Sequence, residues 1–349
     1  MKKKFLLLLL LVVSTFATQA QDTTKADPPL MISGSVDTYF KYDFAKHSNI
    51  PTSFASDQNS ISIGMIDLAL KKKIGKAAFV GEMSFGPRGQ SQSILNDPND
   101  GNSYHVQNLY VSYDVTDKFN LTGGYMATFV GYEVISPVGN FNYSTSYLFT
   151  NGPFQNAGVK ATYLFSDKAS LMAGIFNDAW NVYTSVSKVN TFGAQLMLAP
   201  AKGWTAYINL LTGKLSGTEI DLTTSYQITD AFKLGLNAAD FSAADAVGTG
   251  GFSGVALYPQ IAVAKDVTLG LRGEYFKTKN GSVTTFGPAP GSSVTAFTLT
   301  ANIKSGPLTL IPEMRLDNNK NLADGFTKSG GVTPTKTASQ FVLAAVYAF

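Results

Sequence analysis

The sequence predicts an all-β fold, a transmembrane antiparallel β-barrel of about 16 strands with short turns at one end and long loops at the other. Three observations support this prediction. Polar and apolar residues alternate along many segments, the connections between these segments alternate in length, and the chain ends in an aromatic, apolar strand. A closed barrel suits such strands because it satisfies every backbone hydrogen bond within a bilayer.

The final stretch, residues 339–349, reads SQFVLAAVYAF. Alternate side chains of a strand point to opposite faces, so the large and small residues separate. The two faces are Phe341, Leu343, Ala345, Tyr347 and Phe349 against Val342, Ala344, Val346 and Ala348. Closure in lipid protects such an apolar edge, and the terminal Phe resembles the C-terminal signature of bacterial outer-membrane barrels. The alternative is the last strand of a soluble sandwich.

The first twenty residues are predicted to be a cleaved export signal. Three lysines, Lys2 to Lys4, precede the apolar run 5–13, and Ala20 ends a plausible cleavage site. The run is too short to cross a bilayer as a helix, which needs about 20 residues. We predict that residues 21–30 form a polar periplasmic lead-in and that residues 31–349 form the barrel.

The composition excludes several classes of function. Three of the 27 Lys and Arg residues lie in the signal, so the remainder balances the 24 Asp and Glu residues and gives no support for nucleic-acid binding. Charged residues make up 15% of the chain, against about 25% in ordinary soluble domains. The absence of Cys excludes a lipid anchor or disulfides, and two His residues are too few for a metal site. No cofactor is expected.

Sixteen segments show the strand pattern, and most have the roughly 9–11 residues that a tilted strand needs to cross a bilayer. The predicted strands are 31–42, 60–71, 77–86, 104–114, 118–128, 155–165, 169–178, 189–199, 203–212, 219–228, 231–240, 253–264, 266–276, 294–304, 307–316 and 339–349.

The connections between these strands alternate in length. Short turns include 72–76, 115–117 and 305–306, whereas the intervening loops, such as 43–59 and 317–338, are long. An even number of strands with short periplasmic turns and long extracellular loops is the pattern of bacterial outer-membrane barrels. It places both termini on the periplasmic side, and a soluble sandwich has no reason to sort its loops in this way.

Strand parity assigns a set of charged residues to the inside of the barrel. The set is Asp37, Lys41, Asp67, Glu82, Lys160, Asp221, Lys233, Arg272, Glu274, Glu313 and Arg315. Rings of fixed charge can select the solutes that pass through a channel. The same charges could instead pair and stabilise the inner wall, and the sequence leaves both interpretations open. Because the signs are mixed, we expect weak charge selectivity.

The loop 129–154 is the longest, and its only charged residue is Glu133. Its many aromatic and aliphatic side chains favour folding inward against the barrel wall, where they would be buried. The predicted constriction then carries Glu133, Asn140, Asn142, Ser144 and Ser146. An additional strand or a surface cap is the alternative.

Several segments resemble one family of outer-membrane proteins. They are ISGSVDTYFKY at 32–42, GYEVISPVGNFNYSTSYLF at 131–149, QNAGVKATYLF at 155–165 and FNDAW at 176–180. They are similar to the OmpL-like β-barrel porin-2 family of Bacteroidetes-type bacteria. The chain departs from the family pattern at Thr145, where a basic residue is frequent, and at 177–180, where Asn-Gly-Trp is frequent. The resemblance implies an outer-membrane porin and leaves its solute undefined.

We therefore predict an outer-membrane porin that allows passive diffusion of small hydrophilic solutes or ions and contacts outer-membrane lipid. A homo-oligomer, a trimer by analogy of fold alone, is an expectation. One alternative is a plugged barrel whose outer loops bind a ligand or partner. The other is an outer-membrane hydrolase near His105, with Ser103 and Asn108, although Asn108 has the opposite strand parity. A lone interfacial His is the simpler interpretation, and we predict no enzyme activity.

Overall fold

The computed structural model describes residues 27–89, 105–177, 183, 188–283 and 285–349. The predicted signal, most of the lead-in, and most of the second and fourth long loops lie outside these ranges. The described strands form one closed barrel in which each strand pairs antiparallel with its sequence neighbours, and the first strand pairs with the last. This confirms the predicted fold class.

The sixteen strands overlap the predicted segments one for one, and the largest difference is three residues, at the ends of the second and fifteenth strands. They are β1 (Met31–Asp43), β2 (Ser60–Ile74), β3 (Ala77–Phe85), β4 (Val106–Thr116), β5 (Phe119–Ala127), β6 (Gln155–Ser166), β7 (Ala169–Asn177), β8 (Val189–Leu198), β9 (Trp204–Gly213), β10 (Gly217–Gln227), β11 (Phe232–Ser242), β12 (Gly251–Ala264), β13 (Val267–Thr278), β14 (Ser293–Ser305), β15 (Leu308–Asn319) and β16 (Thr337–Ala348).

The end of the chain closes the barrel. Phe349 and Gly34 exchange two backbone hydrogen bonds, each of 3.0 Å, and β16 continues this pairing along β1. A side chain at position 34 would collide with the Asp67 carbonyl and the Phe349 ring, so glycine is required there. The terminal aromatic therefore lies in the seam between the first and last strands.

The two faces of each strand differ as the alternation predicts. On β14, Leu299 is 57% exposed on the outside, whereas Thr298 and Thr300 are fully buried on the inside. On β16, Leu343 faces outward and Val342 inward. The outer surface is therefore apolar and suited to hydrocarbon, and the inner surface carries most of the polar groups.

Helices contribute little to the fold. Within the described ranges the only α-helix is α1 (Tyr147–Asn151), and two single 3₁₀ turns lie at Pro87–Gly89 and Pro137–Gly139. No helix in this part of the chain is long and apolar enough to cross a membrane. The helix and the second 3₁₀ turn both belong to the segment between β5 and β6.

The barrel faces give a first prediction. Leu299→Arg places a charge on the outer face near the middle of β14, where it should lower the free energy of unfolding by about 2–4 kcal/mol. Ile303→Arg, on the same face near the turn, should cost only about 0–1 kcal/mol. Denaturant unfolding in lipid vesicles measures both values. Equal costs at the two depths would contradict the assignment of this face to lipid.

Candidate permeation site in the lumen

The segment 129–154, here called the inner loop, crosses the inside of the barrel. The Gly131 N–H donates to Asp221 Oδ1 on β10 at 3.0 Å. Further along the loop, Asn142 Nδ2 donates to Thr300 Oγ1 on β14 at 2.7 Å, and the Tyr143 hydroxyl donates to Asp37 on β1. These partners are inward-facing residues on well-separated strands, so the loop lies in the lumen.

Two wall carboxylates accept hydrogen bonds from the backbone of the inner loop. Glu274 accepts from the Tyr147 and Leu148 amides, at 3.0 and 2.9 Å, where α1 begins. Glu313 accepts from the Tyr143 amide at 2.9 Å, from the Ser144 amide at 3.1 Å and from the Ser144 hydroxyl. Buried amides need partners of this kind, and a carboxylate is a strong one.

Two buried arginines bind the loop carbonyls. Arg272 forms an ion pair with Glu133 at 2.8 Å and donates to the Ser144 carbonyl at 2.6 Å. Arg315 pairs with Asp317 at 2.8 Å and donates to the Thr145 carbonyl at 2.8 Å. The alternating charges of β13 and β15 therefore match the alternating donors and acceptors of the loop backbone.

Arg88, in the loop after β3, holds the other side of the inner loop. It donates to the Ile135 and Tyr143 carbonyls at 3.1 and 3.0 Å. Its guanidinium also lies 4.4 Å from the centre of the Phe54 ring and 4.5 Å from that of Tyr143, so cation–π attraction adds to the hydrogen bonds. Sequence reasoning missed Arg88 because it follows a strand and has no periodic pattern around it.

Apolar contacts complete the packing of the inner loop. Tyr147 stacks on Phe276 of β13, with ring centres 5.5 Å apart. Phe149 stacks on Phe154 at 4.8 Å and contacts Phe54 of the first long loop. The first long loop and the inner loop therefore pack together inside the lumen, and open space remains between the inner loop and β6 to β10 and also beside β12 to β16 at the short-turn end.

Two larger cavities and a smaller one lie within the part of the lumen that the described residues enclose. One, of about 740 Å³, reaches the short-turn end and is lined by Lys233, Lys304 and Asn140, among others. The second, of about 550 Å³, lies between the inner loop and β6 to β10 and is lined by residues including Lys160. The third, of about 240 Å³, contains Glu82. Tyr132 and Ser225 line both larger cavities.

Tyr132 forms the boundary between the two larger cavities. Its ring stacks on Tyr258 with centres 4.4 Å apart, and its hydroxyl lies against Ser225. The hydroxyl also lies directly over Gly235 of β11, where any side chain would overlap it. In the sequence, Tyr132 is one of the many aromatic side chains of the loop, and no pattern distinguishes it from the others.

The predicted site residues lie in two groups. Eight of them are buried: Asp37, Glu133, Asn142, Arg272, Glu274, Glu313 and Arg315 where the inner loop meets the wall, and Lys41 beside Ser48 of the first long loop. The other three are only partly buried and line the cavities, and Glu133 and Asn142 also line the 740 Å³ cavity. Lys160 lines the 550 Å³ cavity, Asn140 lines the 740 Å³ cavity while bonding to Val134, and Glu82 lines the 240 Å³ cavity and accepts from Asn108 at 2.6 Å.

His105, the residue considered for hydrolase chemistry, packs against residues at the end of β3. His105 Nδ1 lies 3.0 Å from the Ser84 carbonyl oxygen, and its ring lies 4.7 Å from that of Phe85. Ser103 lies outside the described residues. The part of the chain that the structure describes contains no group of three His, Asp or Glu residues that could hold a metal ion.

A closed barrel of sixteen strands, with charges and a folded loop inside, is the architecture of a porin. The family model described as "Putative beta-barrel porin-2, OmpL-like" matches residues 29–349, and the chain belongs to this family. The protein is therefore a porin, a channel for passive diffusion. None of the curated proteins matches the sequence.

Solved structures with the same fold are distant in sequence. The outer membrane channel DcaP of Acinetobacter baumannii has a TM-score of 0.61 at 14% identity, covering 95% of this chain and 100% of that chain. An anion-selective porin from Comamonas acidovorans has a TM-score of 0.61 at 15% identity, covering 92% and 99%. The trimer form of OmpT from Vibrio cholerae has a TM-score of 0.56 at 14% identity, covering 92% and 99%. These similarities concern the fold alone.

The contrast between buried and exposed ion pairs gives a second prediction. Arg272→Met leaves Glu133 buried without its cation, which should lower the free energy of unfolding by about 3–5 kcal/mol. Lys279→Met breaks the exposed pair with Asp240, which should cost about 0–1 kcal/mol. Denaturant unfolding of the purified variants compares the two values. A loss for Arg272→Met as small as that for Lys279→Met would contradict the anchoring role.

Proposed function

We propose that solutes cross the barrel through an off-centre passage, which begins between the inner loop and β6 to β10 and continues between the inner loop and β10 to β16 at the short-turn end. The observation that carries this proposal is that Tyr132 and Ser225 line both of the larger cavities, so that the two cavities adjoin each other there. A solute would enter the 550 Å³ cavity, pass Tyr132 and leave through the 740 Å³ cavity at the short-turn end. The inner loop is then the constriction, with its narrowest point at Tyr132.

The anchoring of the inner loop supports a fixed constriction. Glu274, Glu313, Arg272, Arg315 and Arg88 bind its backbone or its single carboxylate from several sides. A segment held by this many buried bonds keeps its shape as solutes pass, so its distance from the opposite wall sets a size limit. Seven of the predicted site residues then act as supports for the constriction, Lys41 donates to Ser48 of the first long loop, and Lys160, Asn140 and Glu82 line the cavities.

The cellular setting follows from the family and the fold. We propose the bacterial outer membrane, reached by means of the signal at residues 1–20, with the short turns in the periplasm. The trimer form of OmpT has the same fold, which supports a homo-oligomer for this chain. The motifs shared with Bacteroidetes-type porins support an origin in that group.

A plugged barrel is the second candidate, because the first long loop and the inner loop pack together inside the lumen. Its supporting observation is the set of aromatic contacts between Phe54, Phe149 and Phe154. The two candidates differ in one property. A porin conducts ions in a planar bilayer, and a plugged barrel does not.

Single-channel conductance tests the proposal. The wild type should conduct, and Tyr132→Ala should increase the conductance because it removes the ring that separates the two cavities. Tyr132→Phe, which keeps the ring, should change it little.

The matched control is Tyr275→Ala, which removes a tyrosine from the outer face of β13. It should leave the conductance unchanged. A wild type without conductance would support the plugged barrel, and equal conductance for Tyr132→Ala and the wild type would exclude Tyr132 as the narrowest point.

A further inference from the structure

We propose that the passage favours small anions, such as solutes that carry a carboxylate or phosphate group, over cations. Lys160 on one side of Tyr132 and Lys233 on the other provide the attracting charges. This inference rests on the proposed function, because it assumes that solutes pass Tyr132.

The acidic groups beside the passage already form an ion pair or hydrogen bonds with other groups of the protein. Glu133 lines the 740 Å³ cavity but is paired with Arg272 and also accepts from the Ser146 amide at 2.7 Å. Asp221, below the inner loop, accepts from the Gly131 amide and from Asn209 Nδ2 at 2.7 Å, as well as from Asn237. These bonds offset much of the attraction that the carboxylates would exert on a passing cation.

The lysines that line the two larger cavities have no carboxylate partner among the described ion pairs. The described residues form four ion pairs, and none of them includes Lys160, Lys233 or Lys304. Lys160 lines the 550 Å³ cavity among neutral groups that include Gln195, Thr205 and Tyr207. Lys233 and Lys304 line the 740 Å³ cavity. Their charges therefore act on whatever occupies these cavities.

Glu82 and Glu219 are further acids of the inner wall, and neither of them lines the two larger cavities. Glu82 lies in the 240 Å³ cavity on the other side of the inner loop, beside Gln107 and Asn108, and its carboxylate accepts from Asn108. Among the described residues, the lysines of the route past Tyr132 thus form no ion pair with a carboxylate.

Electrostatics then sets the preference. A cleft with charge of one sign and walls of low dielectric concentrates the field and raises the local concentration of counter-ions. Rings of lysine or arginine are the usual lining of anion pores. The mixed signs seen in the sequence predicted weak selectivity. In the folded chain most of the opposing charges hold the inner loop, and the charges left in the passage are positive.

Reversal potentials in a potassium chloride gradient across a planar bilayer test the inference. The wild type should give a reversal potential of the sign expected for a channel that is more permeable to chloride than to potassium. The variant Lys160→Glu/Lys233→Glu should shift it to the sign set by potassium, and the neutral variant Lys160→Gln/Lys233→Gln should give an intermediate value.

The control is Lys277→Glu, which makes the same change of charge on the outer face of β13. It should keep the potential of the wild type. A conducting wild type that prefers potassium, or an unchanged potential in both double variants, would overturn the anion preference and leave the porin function in place. A wild type that does not conduct would overturn the proposed function and this inference with it.

Discussion

A loop that enters a barrel must find partners for its backbone N–H and C=O groups, because an unpaired buried polar group costs about 1–3 kcal/mol. The inner loop has little regular structure of its own beyond the short helix α1. The wall supplies the missing partners as charged side chains. Glutamates accept from the loop amides and arginines donate to the loop carbonyls. The position of the loop, and hence the shape of the remaining lumen, depends on these bonds.

The same constraint explains why the inner-wall charges are mixed in sign. A wall designed only to select one type of ion would carry one sign, whereas a wall that binds a polypeptide backbone needs both acceptors and donors. Arg272 and Glu274 are two residues apart on β13, and Glu313 and Arg315 repeat this spacing on β15. Lys160 on β6 and Lys233 on β11 form no described bond to the inner loop, and they line the open cavities.

The fold could be predicted from the sequence because a barrel in lipid has one simple rule: each strand has one apolar and one polar face. That rule also placed Arg272, Glu313 and the other charges on the inner face. It could not give their partners, because the bonds join residues such as Tyr143 and Glu313 that are far apart in the chain. Tyr132 and Arg88 were missed because both lie outside the strands, where the alternation assigns no face. A weak signal for Tyr132 existed in Gly235, an inward position of β11 without a side chain.

The central claim is that the inner loop lies inside the barrel against β14. Since the native chain has no cysteine, the variant Asn142→Cys/Thr300→Cys tests it directly with a short thiol–thiol crosslinker and mass spectrometry of the linked peptides. The control pair, Thr212→Cys/Thr218→Cys, joins neighbouring positions on β9 and β10. Efficient linkage of positions 142 and 300 is the predicted result. Linkage of the control pair alone would contradict the account.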